Sequence, residues 1–85
     1  MSENEQQLTF GEKAVGLTFN PSAIEEVDEI KKAAAAFIDA VCGAKGEKLK
    51  FGPGEDNEAS SMRKLAQRAS QEAQMWGVKA ATWGK

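Results

Sequence analysis

Met62, Ala69, Trp76 and Trp83 stand seven residues apart, and Ala66, Ala73 and Ala80 recur at the same period between them. A two-seam repeat of seven residues, held for three repeats, cannot lie on one face of a strand, whose side chains alternate with period two. A helix presents it as one stripe. The pattern commits about residues 57–83 to a long helix, with Asp56, Ser60 and Ser61 all able to cap its start. The alanine seam allows a neighbouring helix to approach closely, toward the low end of the usual ~8–10 Å. Leu65, Met75 and Val78 lie off that seam and give the helix a second apolar side, so it is expected to touch more than one partner.

A second helix is equally well marked. Val27, Ile30, Ala34, Phe37 and Val41 follow a 3,4,3,4 spacing, widened by Ile24 and Ile38. Ser22 is a good N-cap, with Glu25 three residues on as its capping-box partner and Glu26 beside it. The run Ala33–Ala36 favours helix strongly, and Gly43 stands where a C-cap glycine belongs. This predicts a helix over about 22–42.

The rest is connection. Residues 1–8 are polar and expected to fray, which leaves one domain over 9–85. Residues 9–21, TFGEKAVGLTFNP, read as a short arm punctuated by Gly11 and Gly16 and closed by Pro21, with room for a helical turn or a short strand. Residues 43–56 hold four of the eight glycines and form a loop, with Leu49 and Phe51 placed to tuck back onto the helices. The predicted fold is all-α, an antiparallel helical hairpin with a short N-terminal arm.

Two helices enclose no core, and an 85-residue chain is marginal alone. Small chains are usually reinforced by disulfides, metal or partner subunits. One cysteine, Cys42, cannot close an intramolecular disulfide, and with no histidine present it cannot build a zinc site. No D-x-D-x-D-G calcium loop occurs, and no metal or other cofactor is expected. Phe37, Met75, Trp76 and Trp83 are too many large apolar groups for a lone chain to hide, so a homo-oligomer of closed symmetry is expected. A net charge of −2 argues against binding duplex nucleic acid, which calls for a basic face. A small anionic ligand needs only two or three well-placed cations. No apolar run approaches the ~20 residues that span a membrane. The acidic, polar start MSENEQQLTF and the free cysteine fit a reducing cytosol.

No catalytic constellation is visible. Histidine and tyrosine are absent, and Cys42 falls on the apolar stripe as a core residue. Asp39 stands isolated, and the acidic cluster Glu25, Glu26, Asp28 and Glu29 reads as capping charge. The FGPGED loop lacks the GK[ST] of a phosphate loop. What remains are cations and aromatics near helix starts: Lys13 in the arm, Phe19 and Asn20 before the first helix, Lys31 and Lys32 within it, and Arg63 early in the second. Backbone N–H groups at helix starts and an arginine fork bind phosphate, and an aromatic stacks on a base. Each residue also has a plainer reading. Lys31 and Lys32 form a solvated face, Arg63 pairs with a nearby glutamate, Phe19 is a staple or core residue, and Trp76 is core or subunit interface. Physics alone ends at an oligomeric helical hairpin with a candidate anion site, and a structural or adaptor hairpin that binds a partner helix stays open beside it.

The order of segments is more specific. FGEKAVGLTFNPS, VDEIKKAAAAFIDAV and SSMRKLAQRASQEAQMWGVKAATW, the last carrying the MW-x-VK ending of Met75, Trp76, Val78 and Lys79, cover residues 10–83. Together they resemble the hairpin domain of the phage cyclic-nucleotide sponges, the anti-CBASS and anti-Thoeris proteins. The resemblance implies a homo-hexamer in the host bacterial cytoplasm. It also implies sequestration, without cleavage, of cyclic dinucleotides such as 3′,3′-cGAMP, of cyclic trinucleotides and, in some members, of glycocyclic ADP-ribose. Dinucleotides would lie between protomers, held by a pre-helix aromatic and a lysine of the first helix. That implication falls on Phe19, beside Asn20, and on Lys31 of the Ile30-Lys31 pair. Sponges often carry tyrosine where Phe19 stands. Arg63 matches the arginine of the trinucleotide pocket, and Lys13 lies in an arm more glycine-rich than that of the shortest sponges. Anti-Thoeris members usually carry sequence beyond the hairpin, so an end at Lys85 favours the anti-CBASS-like type.

Overall fold

Thr9 begins the first helix by a reciprocal cap. Its hydroxyl accepts from the Glu12 N–H at 3.1 Å, and the Glu12 carboxylate accepts from the Thr9 N–H at 2.9 Å. The T-x-x-E pattern at 9–12 thus converts the arm's first half into α1, Phe10–Ala14. Gly16, at φ 62°, ends it. The Gly16 N–H donates to Lys13 O and the Leu17 N–H to Glu12 O, the paired bonds of a Schellman stop, which a glycine in the left-handed region makes without strain. The computed structural model describes residues 7–20, 23–49 and 58–84. Its two long helices are α2, Glu25–Cys42, and α3, Glu58–Ala81. A 3-10 turn, Glu47–Leu49, follows α2, and the described residues contain no strand.

The α2 N-terminus differs from expectation. Ser22 lies outside the described residues, and Ile24 occupies the cap position with no side-chain cap bond. The Asn20 side chain organises this entry instead. It accepts the Ile24 N–H at 3.3 Å and donates to Ile24 O at 2.9 Å and to Asp28 Oδ1 at 3.0 Å. Ala23 enters the helix at φ 52°, a conformation an alanine rarely adopts.

α2 is the central element. The arm docks on one side, where Val15, Ala35, Ile38 and Cys42 form the core with half-buried Phe10, Ala14, Leu17, Ala34, Val41 and Leu49 around them. Leu49 thus tucks back as expected, while Phe51 lies outside the described residues. α3 covers another side, running antiparallel: Ile30 near the start of α2 meets Gly77 near the end of α3, and Val41 near the end of α2 meets Arg63 near the start of α3. Because two elements share α2, its buried positions are Val27, Lys31, Ala35, Ile38 and Cys42, a stripe rotated from the one the apolar spacing suggests. Ile30, Ala34 and Val41 are half-buried at its edge, and Phe37 is 51% exposed.

The register of α3 is the larger correction. Its covered positions include Ser60, Arg63, Gln67, Ser70, Gln74, Gly77 and Ala81, again a 3,4,3,4 series but one mostly of small and polar residues, flanked by half-buried Ala66, Gln71 and Val78. Met62, Ala69, Trp76 and Trp83 all face solvent, as do Ala73 and Ala80, and only Ala66 of the alanine series is half-buried. Close approach is made by Gly77, where a Cβ would sit 3.2 Å from Ile30 Cγ2. Gly77 lets the axes approach, and the largest apolar residues are left on the open side.

Candidate functional site

Lys31 sits on the buried stripe of α2 and is only 5% exposed. A buried ammonium must be hydrogen-bonded to be tolerated. Lys31 Nζ donates to Gly16 O at 2.9 Å and to Phe19 O, so it ties the turn after α1 down onto α2. Among the described residues no carboxylate lies within ion-pair distance of it. Its Nζ also lies 5.4 Å from the centroid of the Phe19 ring, a cation–π arrangement. The ring itself is 71% exposed, which rules out the core reading of Phe19 for the single chain. The arm therefore presents a fixed aromatic with a cation at one side.

The same segment walls a surface pocket of about 460 Å³, lined by Leu17, Thr18, Asn20, Ala23, Asp28 and Lys32. Asn20 shapes it through its bonds to Ile24 and Asp28. Phe19 lies between two of the lining residues, Thr18 and Asn20. Of the sequence candidates, Phe19 and Lys31 thus meet each other, while Asn20 lines the adjoining pocket together with Lys32; neither Phe19 nor Lys31 is among the lining residues.

Arg63 and Lys13 lie elsewhere. Arg63 Nη1 donates to Val41 O at 2.7 Å, near the C-terminal end of α2, where a cation complements the helix dipole. It lines a second, mostly apolar pocket with Val41, Ala59 and Met62. Lys13 is exposed and shares a third pocket with Leu8, Phe10, Ala44 and Lys45.

Two positioning residues escape a reading of sequence alone. Asp39, isolated in sequence, accepts the Gly11 N–H at 2.7 Å and anchors α1 to α2. Gln71 Nε2 donates to Ala14 O at 2.9 Å and anchors the arm to α3. The T-x-x-E cap of α1 carries a local signal that the reading of 9–21 as an arm with a turn or a strand does not use; these long-range contacts leave no local signal. Cys42 is fully buried, and its thiol donates toward Arg63 O at 3.7 Å. Burial pushes the thiol pKa up, against the pull of Arg63, so the proton is held and the sulfur is a poor nucleophile. Among the described residues no cluster of carboxylates and thiols could hold a metal ion, and no helix is long and apolar enough to cross a membrane.

A docked arm with an exposed aromatic, cations at the arm and at the hairpin end, and an apolar open face make up a helical hairpin with a candidate ligand site. The family described as Acb2/Tad1, hairpin domain, matches residues 12–82, and the chain belongs to it: the cyclic-nucleotide sponges of the anti-CBASS and anti-Thoeris type. No curated protein and no solved structure matches the chain.

Proposed function

We propose that this protein sequesters cyclic oligonucleotide immune signals without cleaving them and so blocks CBASS- or Thoeris-type antiphage defence in the bacterial cytoplasm. Its ligands are cyclic dinucleotides such as 3′,3′-cGAMP and cyclic trinucleotides, with glycocyclic ADP-ribose as a further candidate. Beyond family membership, one observation carries the reading: the Phe19 ring is solvent-exposed yet fixed beside Lys31. An aromatic held with an open face is ready to stack on a base, and stacking contributes about 1–3 kcal/mol per base. Asn20 and a lysine of α2 beside it supply polar contacts. Arg63 and its apolar pocket serve the trinucleotide, and Lys13 serves the more distant part of the arm.

The chain works as a homo-hexamer in this reading. Met62, Leu65, Met75, Trp76 and Trp83 leave α3 with an open face that copies of the chain cover. Symmetric ligands then suit pockets shared between protomers. The mechanism is mass action: to empty a micromolar pool of signal the protein needs nanomolar affinity, about −12 kcal/mol.

The test is recovery of ligand. Protein is incubated with 3′,3′-cGAMP, freed of unbound nucleotide and heat-denatured, and the released nucleotide is chromatographed. Intact 3′,3′-cGAMP in stoichiometric yield is expected. Hydrolysed nucleotide alone would mean an enzyme. No retention and no thermal shift with any cyclic di- or trinucleotide would favour an adaptor that uses the α3 open face for a partner helix.

A further inference from the structure

We propose that Lys32, rather than Lys31, is the cation that meets a phosphodiester in the arm pocket, and that Lys31 is a positioning residue for Phe19. This rests on the sponge reading and assigns the work within its site. Lys31 is committed elsewhere. It is 5% exposed, two of its N–H groups are given to Gly16 O and Phe19 O, and the Phe19 ring covers another side. Only one N–H of Lys31 is left over, on a residue that is 5% exposed, and swinging the ammonium out to a phosphate would break the carbonyl bonds that hold the turn under Phe19. Losing them would free the aromatic that is meant to stack.

Lys32 has the opposite character. One residue further along α2, it points about 100° away around the helix. It is exposed and lines the pocket walled by Leu17, Thr18, Asn20, Ala23 and Asp28. It forms no ion pair among the described residues. Two carboxylates lie one turn back on its side of α2, exposed Glu29 and half-buried Asp28, and Asn20 Nδ2 already donates to Asp28 at 3.0 Å. Lys32 is thus a cation on a pocket wall, available to an anion, beside a segment fixed by Asn20. The pocket offers one cation and one carboxylate. That balance suits the single negative charge of a phosphodiester linkage better than a doubly charged terminal phosphate.

The experiment compares wild-type protein with Lys32→Gln, Lys31→Met and Lys31→Arg. Affinity for 3′,3′-cGAMP is measured by calorimetry at two salt concentrations. Hydrogen exchange of residues 16–20 and the melting temperature are measured without ligand. Lys32→Gln should weaken binding about tenfold or more and flatten its salt dependence, with arm protection and melting temperature unchanged. Lys31→Met should lose protection over 16–20 and melt earlier while its residual binding keeps the wild-type salt dependence, and Lys31→Arg should restore the protection. If Lys31→Met does not fold and Lys31→Arg does, the positioning role is equally supported. Wild-type affinity and salt dependence in Lys32→Gln, or an intact arm with a flattened salt dependence in Lys31→Met, overturns the assignment and leaves the sponge reading standing. No binding of any cyclic nucleotide by wild type brings down both together.

Discussion

The Asp39 carboxylate accepts the Gly11 N–H at 2.7 Å, and Gly11 is buried where α1 packs directly against the α2 backbone. A Cβ at Gly11 would collide with the backbone carbonyl of Ala35 and stand 2.8 Å from Asp39 Oδ1. A backbone oxygen cannot swing aside as a side-chain terminus can. Gly11→Ala should therefore destabilise by about 1–3 kcal/mol, although alanine is the better helix former by roughly 1 kcal/mol. Asp39→Ala leaves that N–H without its acceptor and should cost about 1.5–3 kcal/mol, whereas Asp39→Asn keeps an oxygen and costs less. Urea unfolding at one fixed protein concentration ranks the three, since the proposed assembly would make apparent stability depend on concentration.

Gln74 offers the opposite sign. It lies on the covered seam of α3, and its Oε1 is buried with no hydrogen-bond partner among the described residues. An unsatisfied buried carbonyl carries a desolvation cost of about 1–3 kcal/mol that an apolar group of similar shape avoids. Gln74→Met should therefore raise stability, by about 1 kcal/mol, or roughly 4–8 °C in melting temperature for a chain of this size. A lower melting temperature would mean that the amide finds a partner in solution, from water or from a second copy in the proposed assembly.

The hairpin itself was legible because helix period, alanine content and the glycine past Cys42 agree about α2. The register of α3 was not. Periodicity says which residues share a face but not which partner that face meets. Two 3,4 series run down α3, and the more apolar one, through Met62, Trp76 and Trp83, is the exposed one. The intrachain seam is chosen by approach distance instead, through Gly77 against Ile30, and a glycine carries no hydropathy signal. At the candidate site, the pairing of Phe19 with Lys31 joins residues twelve apart across a turn whose course is set by Gly16 and Asn20. Residue types alone indicated an aromatic and a cation near the helix start. Which lysine is buried depends on the rotation of α2 between the arm and α3.

That open face leads to a test of assembly. Trp76 is 62% exposed, Trp83 is 76% exposed, and Met75 stands beside Trp76. Neither tryptophan supports the single chain. Trp76→Glu places a charge where copies are expected to pack, and it should lower the mass seen by light scattering while helix content by circular dichroism stays near wild type. If Trp76→Glu and Trp83→Glu together leave the mass unchanged, the α3 open face is not the seam between copies.

Cys42 supplies a prediction with a defined pH window. Its thiol pKa lies above the ordinary 9.0, chiefly because burial penalises the thiolate; Asp39 adds to this, while Arg63 and Lys48 oppose it. The folded state therefore keeps its proton where the unfolded chain has begun to lose it. The stabilisation that follows is fully present below about pH 9 and fades as pH rises through the folded value. At pH 8 the folded protein should react with iodoacetamide on the order of a hundredfold more slowly than the urea-unfolded chain, because modification waits for an opening that parts α2 from α3. Raising the pH from 8 to 10 should speed the unfolded reaction as thiolate accumulates, and should speed the native reaction further as this source of stability is withdrawn. Rapid, complete labelling of native protein at pH 8 would place the thiol at the surface and contradict the packing of Cys42 beneath the backbone of Arg63.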